Sequence, residues 1–301
     1  MRPAREDVMS AEAILLCATT FAAALVNGAL GYGFSSITVP VALLVYPARV
    51  LNPAIVLLEV GINLYTLSAN RRAVPVVWPR LRPLVAGLLP GVASGSLLLA
   101  SLDADPLKLG IYATLLPLVL LQAAGWRRPV PPHARAEAAL GAGIGAFYAA
   151  TTVSGPPLAL LFNNQGLVKT EFRAALGIVR LAESSLTAIA YTLLGLYSAE
   201  SARLVPLVLP GLLVAVPLGG ALVRRLGAET FRRISMSFDA WIIGFGLSWV
   251  TDRTGLLAAP GAYAILAAAA TIDAWLLYRY FRPPGAALAR RAARCPAAAP
   301  R

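Results

Sequence analysis

Apolar segments close to twenty residues long follow one another along almost the whole chain, at about 11–30, 50–70, 83–101, 106–123, 172–196, 203–223, 232–250 and 258–281. The hydrocarbon core of a bilayer is ~30 Å thick and takes ~20 apolar residues per spanning helix. Inside it every backbone N–H and C=O has to be satisfied by the chain itself, which leaves helices as the structure such segments can adopt. Charged residues make up only 13% of the sequence, against about a quarter in soluble domains. The chain therefore reads as an integral membrane protein with no room for a soluble domain.

Two places break this pattern. Between the first run and a short one at about 34–46 lies Asn27-Gly28-Ala29-Leu30-Gly31-Tyr32-Gly33-Phe34-Ser35-Ser36-Ile37-Thr38-Val39-Pro40, rich in helix breakers and hydroxyls. A second such stretch opens the later half: Gly141-Ala142-Gly143-Ile144-Gly145, then Thr151-Thr152-Val153-Ser154-Gly155-Pro156-Pro157, between short segments at about 136–150 and 155–164. Broken apolar segments at matching places in two halves point to a transporter binding site near the bilayer midplane. The halves match elsewhere too: Pro90-Gly91 falls mid-segment as Pro210-Gly211 does, and Ala104-Asp105-Pro106-Leu107-Lys108 parallels Gly227-Ala228-Glu229-Thr230-Phe231.

Charge orients the segments. The net charge of +12 belongs to basic loops rather than to a nucleic-acid surface, because Lys and Arg mark the cytoplasmic side. Arg71/Arg72/Arg80/Arg82, Arg127/Arg128/Arg135, Arg224/Arg225/Arg232/Arg233 and the tail with Arg290, Arg291 and Arg294 should all be cytoplasmic. Counting each break as a down-and-up hairpin puts an even number of crossings between these loops; counting it as one continuous helix does not. Each half then has an odd number of segments, so the halves insert upside down relative to each other. The expected fold is an all-α integral membrane protein of two inverted repeats, each opening with a broken, re-entrant helix hairpin, plus one extra C-terminal transmembrane helix. Its parts are a first repeat (1–124), a basic cytoplasmic linker (125–135), a second repeat (136–250), the extra helix (251–282) and a basic, Ala-rich tail expected to be disordered (283–301). The C-terminus is expected in the cytoplasm. No cleavable signal is expected, since the first run lacks a small-residue exit followed by a soluble domain.

At these residues the chain resembles the sulfite exporter TauE/SafE family of anion permeases. The halves of that family each begin with a Gly-rich break, usually G-x-G-G-G, followed by an apolar run holding a proline. Gly31-Tyr32-Gly33 with Pro40 matches the first, and Ser154-Gly155-Pro156-Pro157 stands in for the second. The resemblance covers about residues 11–250. The chain departs from it where Phe34-Ser35 replaces the later glycines, where Thr151-Thr152-Val153-Ser154 replaces most of the second cluster, and in the unpaired last helix. It implies a secondary transporter of sulfite or an organosulfonate; the residues themselves do not identify sulfur. Abundant Ala and Arg fit a GC-rich bacterial gene, hence a bacterial inner membrane.

A small oxyanion inside a membrane has to be met by donors already aimed at it. Helix N-termini offer free N–H groups, glycine lets backbone approach, and Ser or Thr adds hydroxyls. Gly31, Gly33, Ser35, Ser36 and Thr38 are the candidate donors from one break, and Thr151, Thr152, Ser154 and Gly155 from the other, with Asn27 as a ligand or loop-orienting residue. The competing reading is a crossing of small residues that merely lets helices pack closely. Ionisable groups inside apolar segments are functional candidates because they are costly there. Arg180 and Glu183 stand three apart on one helix and can pair; Arg180 could instead offer its fork of donors to the anion. Glu59, with Asn63 four residues on and no sequence-local partner, is the leading candidate for a coupling proton site, and Glu183 the second. Asp239, Asp252 and Asp273 read as structural or interfacial.

Other functions fit less well. The single histidine, His133, lies in a Pro-rich loop, Cys17 lies in an apolar run and Cys295 in the tail, so neither a metal site, a disulfide framework nor a hydrolase constellation is expected. No G-x-x-x-x-G-K-[ST] sequence is present. The chain is expected not to be an enzyme and to need no cofactor; its partners are a small anion, the bilayer and a coupling proton, not nucleic acid. A small-carboxylate permease, a channel, or a membrane scaffold whose hairpins only pack helices are the alternatives. Nothing in the sequence selects between a monomer and a homodimer.

Overall fold

The computed structural model describes residues 4–125, 133–165, 167, 169–226 and 228–281; among them every regular element is helical. The first half contains α1 (Ala4–Leu30), α2 (Phe34–Ala42), α3 (Ala48–Ala69), α4 (Val74–Ser101) and α5 (Ala104–Ala123). The second half contains α6 (Ala134–Thr151), α7 (Gly155–Asn164), α8 (Lys169–Leu193), α9 (Ala199–Leu226) and α10 (Ala228–Arg253), and α11 (Ala264–Phe281) follows. Eight of these, α1, α3, α4, α5, α8, α9, α10 and α11, are long and apolar enough to cross a bilayer. The chain is a multi-pass membrane protein.

Both breaks are real interruptions of the helical path, and each has a local cause. α1 ends as the Gly31 amide closes a last turn on the Asn27 carbonyl at 2.7 Å. Gly31 and Gly33 then take left-handed φ values of 87° and 112°, open to glycine without a Cβ penalty. α6 ends at Thr151, and Thr152 turns the chain at φ 59°, a non-glycine residue in the left-handed region. Pro156 and Pro157 follow in the first turn of α7, where fixed φ and a missing N–H are tolerated. α2 and α7 have 9 and 10 residues, about 14–15 Å at 1.5 Å per residue, roughly half of the hydrocarbon thickness.

α1 lies along α9 and α6 along α4; α3 touches α9 and α8 touches α4; α2 touches α10 and α7 touches α5. α3 also packs on α8, and α5 on α10. Small residues set the closest crossings. A Cβ on Gly87, Gly91 or Gly95 of α4 would fall 2.0–2.1 Å from the carbonyl oxygens of Ala138, Ala142 and Ala146 of α6. Gly28 of α1 and Gly219 of α9 stand likewise against Val216 and Leu25. Lipid tails are as apolar as the helix surfaces, so such close backbone contact, rather than a hydrophobic effect, drives association here.

Several sequence expectations change. Gly141–Gly145 does not break the chain: it lies inside α6, where Gly141 and Gly145 pack on Leu84 and Leu88 of α4. The segment expected at 83–101 begins at Val74, since Pro79, Pro83 and Pro90 are accommodated within one long helix. α1 begins at Ala4, ahead of the apolar run that starts at about residue 11. The linker expected at 125–135 gives way to α6 at Ala134. The tail 283–301, Arg127, Arg128, and the side chains of Arg224, Arg225 and Arg232 lie outside the described residues. α11 packs on α10 and α5, and Asp273 ties it to α10 by accepting from Ser237 Oγ and Trp241 Nε1, each at 3.0 Å.

Candidate functional site

The polar residues of α3 and α8 meet at the centre of the molecule, beside both breaks. Arg180 on α8 is among the largest fully buried side chains and makes a salt bridge through Nη2 to Glu59 Oε1 on α3. Its Nη1 donates to Asn27 Oδ1, at the end of α1, over 3.1 Å. Tyr148 of α6 donates its hydroxyl to Glu59 Oε2 at 2.7 Å, so both oxygens of that carboxylate are held. Glu183, one turn along α8 from Arg180, accepts from Ser154 Oγ in the second break. One helix thus carries the cation that reaches the first break and the carboxylate that reaches the second. Asn63 Nδ2 donates to the Arg180 carbonyl at 3.2 Å, and Asn52 Nδ2 to the Ala150 carbonyl at 2.9 Å, which pin α3 to α8 and to the end of α6. Glu59 and Glu183 are wholly buried, as is Ser154, and Asn27 and Arg180 keep 1% exposure. Charges this far from water persist because they are paired; removal of one partner leaves the other uncompensated.

Four polar atoms in this cluster lack a partner: Asn27 Nδ2, Asn52 Oδ1, Arg180 Nε and Glu183 Oε2. Two are donors on Asn27 and Arg180, the residues that bond each other. Asn27 also lines a cavity of about 280 Å³ together with Gly31, Thr66, Asn70 and Arg173, room for about nine waters at ~30 Å³ each. Tyr65, Ala69 and Asn70 are shared with a wider vestibule of about 760 Å³ that contains Arg71, Arg72 and Glu171. Arg173 lines the smaller cavity, where Nη2 donates to the Ala29 carbonyl and the side chain lies against Gly31. A path therefore runs from the Arg71–Arg72 end of α3 to buried donors at the first break. Its arginines create a field that favours anions.

The whole arrangement falls within the range matched by a family model described as Sulfite exporter TauE/SafE, which covers residues 16–247 and so includes both breaks and all of α8. The chain belongs to the TauE/SafE family. No curated protein and no solved structure matches it. TauE/SafE proteins are membrane transporters, and α11 lies beyond the matched range, as the unpaired last segment of the sequence does.

In this TauE/SafE chain the structure gathers some of the expected site residues and disperses others. Asn27, Glu59, Arg180, Glu183 and Ser154 form the centre. Gly31 lines the cavity, and Gly155 stands against Tyr32, its missing Cβ 3.3 Å from that ring and 3.8 Å from the Gly33 amide, so the two breaks touch. Ser35, Ser36 and Thr38 are buried in α2, and Ser36 Oγ donates to the Gly33 carbonyl at 3.2 Å. The hydroxyls of Thr151 and Thr152 serve the backbone: Thr151 Oγ1 donates to Phe147 O and accepts from the Val153 amide, and Thr152 Oγ1 donates to Thr151 O. They close the broken turn. The second break is also the poorer donor, since Pro156 and Pro157 lack N–H groups in the first turn of α7. One further expectation needs correcting. Arg180 pairs with Glu59 across helices, not with Glu183 along its own, so Glu59, which has no sequence-local partner, finds one 121 positions away. Tyr148 was not legible as a site residue; its one signal is a tyrosine three residues before the Thr151 break.

Proposed function

We infer that this protein is a secondary transporter of a small anion, sulfite or an organosulfonate, that works by alternating access with the anion held beside the first break and under the second. The observation that supports this reading is a buried donor without an acceptor, Asn27 Nδ2, on a residue that lines the arginine-flanked cavity, with a second, Arg180 Nε, on its hydrogen-bond partner. A tetrahedral or pyramidal oxyanion has enough acceptor oxygens to satisfy both, and a charge-assisted bond to guanidinium is about twice as strong as a neutral one.

In this reading α1–α5 and α6–α10 are inverted repeats, and α2 and α7 return to the side from which α1 and α6 came. The exchanged packing of the halves and the half-bilayer length of α2 and α7 support it. Rocking of one half against the other about the touching breaks would move access from one face to the other. The Arg71–Arg72 vestibule is then cytoplasmic, as is the C-terminus, and the membrane is a bacterial inner membrane. Glu59 and Glu183 are the carboxylates available for proton coupling.

Thermal stability of the purified protein against sulfite, sulfate, sulfoacetate, taurine, lactate and acetate tests the reading, because a ligand that binds only the folded state raises its melting temperature. A rise with sulfur oxyanions, followed by saturable uptake into liposomes, is the expected result. A rise confined to carboxylates would retain the transporter and replace the substrate; no rise and no flux with any anion would refute it.

A further inference from the structure

The charge count at the centre singles out one carboxylate. Arg180 balances one negative charge, and Glu59 supplies it with both oxygens occupied. Glu183 adds a second carboxylate, wholly buried, with Oε1 bonded by Ser154 and Oε2 bonded by nothing. The groups that act on Glu183 are Arg180 on its own helix, Glu59 from α3, Tyr148 from α6 and Ser154 from the break; α4 and α7, which also pack on α8, contribute no charged side chain to it. With both carboxylates ionised the centre is net negative, in the place where an anion has to bind. With a proton on Glu183 Oε2 it is neutral, and the orphan acceptor becomes a hydroxyl.

Resting on the transport reading above, we propose that Glu183, not Glu59, carries the coupling proton: the anion binds when Glu183 is protonated, and the two cross together. The O–H bond formed at Oε2 on loading takes its proton from water on the near side and breaks on release, the proton going to water on the far side. Loss of that proton ejects the anion for two reasons. It restores a like charge beside the anion, and it places a carboxylate one turn from Arg180, where i,i+3 pairing draws the guanidinium from Asn27. Glu183 is a positioning and proton-holding residue rather than an anion ligand, and its bond to Ser154 ties its protonation to the second break.

Sulfite affinity measured across neutral to alkaline pH decides this. In the wild type one linked proton weakens binding by about tenfold per pH unit once free Glu183 ionises. Glu183→Gln, which mimics the protonated group and still accepts from Ser154, loses that slope. Titration of sulfite itself is common to both proteins and cancels in the comparison. Equal slopes in wild type and E183Q would overturn the proton role and leave transport standing, whereas no sulfite binding by the wild type would overturn both. A ligand-free readout guards against misfolding of E183Q: the infrared carbonyl band of a protonated carboxylic acid should shift in Ser154→Ala, and an unshifted spectrum would also overturn the assignment.

Discussion

Replacement of Arg180 by methionine tests the central ion pair most directly. The substitution keeps the volume of an unbranched side chain but leaves Glu59 buried with Tyr148 as its only partner. Breaking a buried pair from one side costs about 3–5 kcal/mol, most of it from the stranded charge. If so, Glu59→Gln on the same background should recover about 2–3 kcal/mol, since the amide it introduces is neutral and its oxygen still accepts from Tyr148. The remaining deficit, about 1–2 kcal/mol, corresponds to the lost bond from Arg180 to Asn27. Glu183→Gln should recover nothing on the R180M background, its effect adding to that of R180M within about 0.5 kcal/mol, as for groups that are not paired. Reversible unfolding in mixed detergent micelles at neutral pH, below the ionisation of Glu183, reads the wild type, the three single variants and the two double variants and closes both cycles. The reasoning fails if R180M costs less than about 1 kcal/mol, or if E183Q rescues it as well as E59Q does.

Gly91→Ala should destabilise the protein by about 1–3 kcal/mol, because its Cβ would meet the Ala142 carbonyl at 2.1 Å. Gly110→Ala in α5, where nothing lies within 4 Å, should instead stabilise by up to about 1 kcal/mol; equal melting shifts in the two would contradict the close crossing of α4 and α6. Asn27→Ala should weaken anion binding by about 1.5–3 kcal/mol, roughly tenfold to a hundredfold, through loss of a bond to a charged ligand; calorimetric titration that finds unchanged affinity would remove Asn27 from the site. Arg71→Gln with Arg72→Gln should raise the KM for anion uptake from the vestibule side at low salt and have little effect at high salt, where the field is screened; a salt-independent effect would mean a direct contact.

Membrane character, the number of long helices and both interruptions of the helical path followed from the sequence by itself. The bilayer imposes a length and a polarity on every segment, and Gly31, Gly33, Pro156 and Pro157 carry backbone preferences that act locally. The false break at Gly141–Gly145 shows the limit of local reading: glycine serves equally for a turn and for close approach, and only α4 lying against it selects the second. Partner choice was likewise a matter for the tertiary structure. Sequence spacing offered Arg180 the carboxylate three residues along its own helix, yet the guanidinium reaches across to Glu59 on α3, 121 positions away in the chain. Electrostatic pairing depends on distance in space, and in a bundle that distance is set by helix crossings that small residues such as Gly91 and Gly219 allow. The same crossings leave Asn27, Arg180 and Glu183 with unmet hydrogen-bonding capacity at one point, a property of the assembled packing that no single stretch of the chain contains.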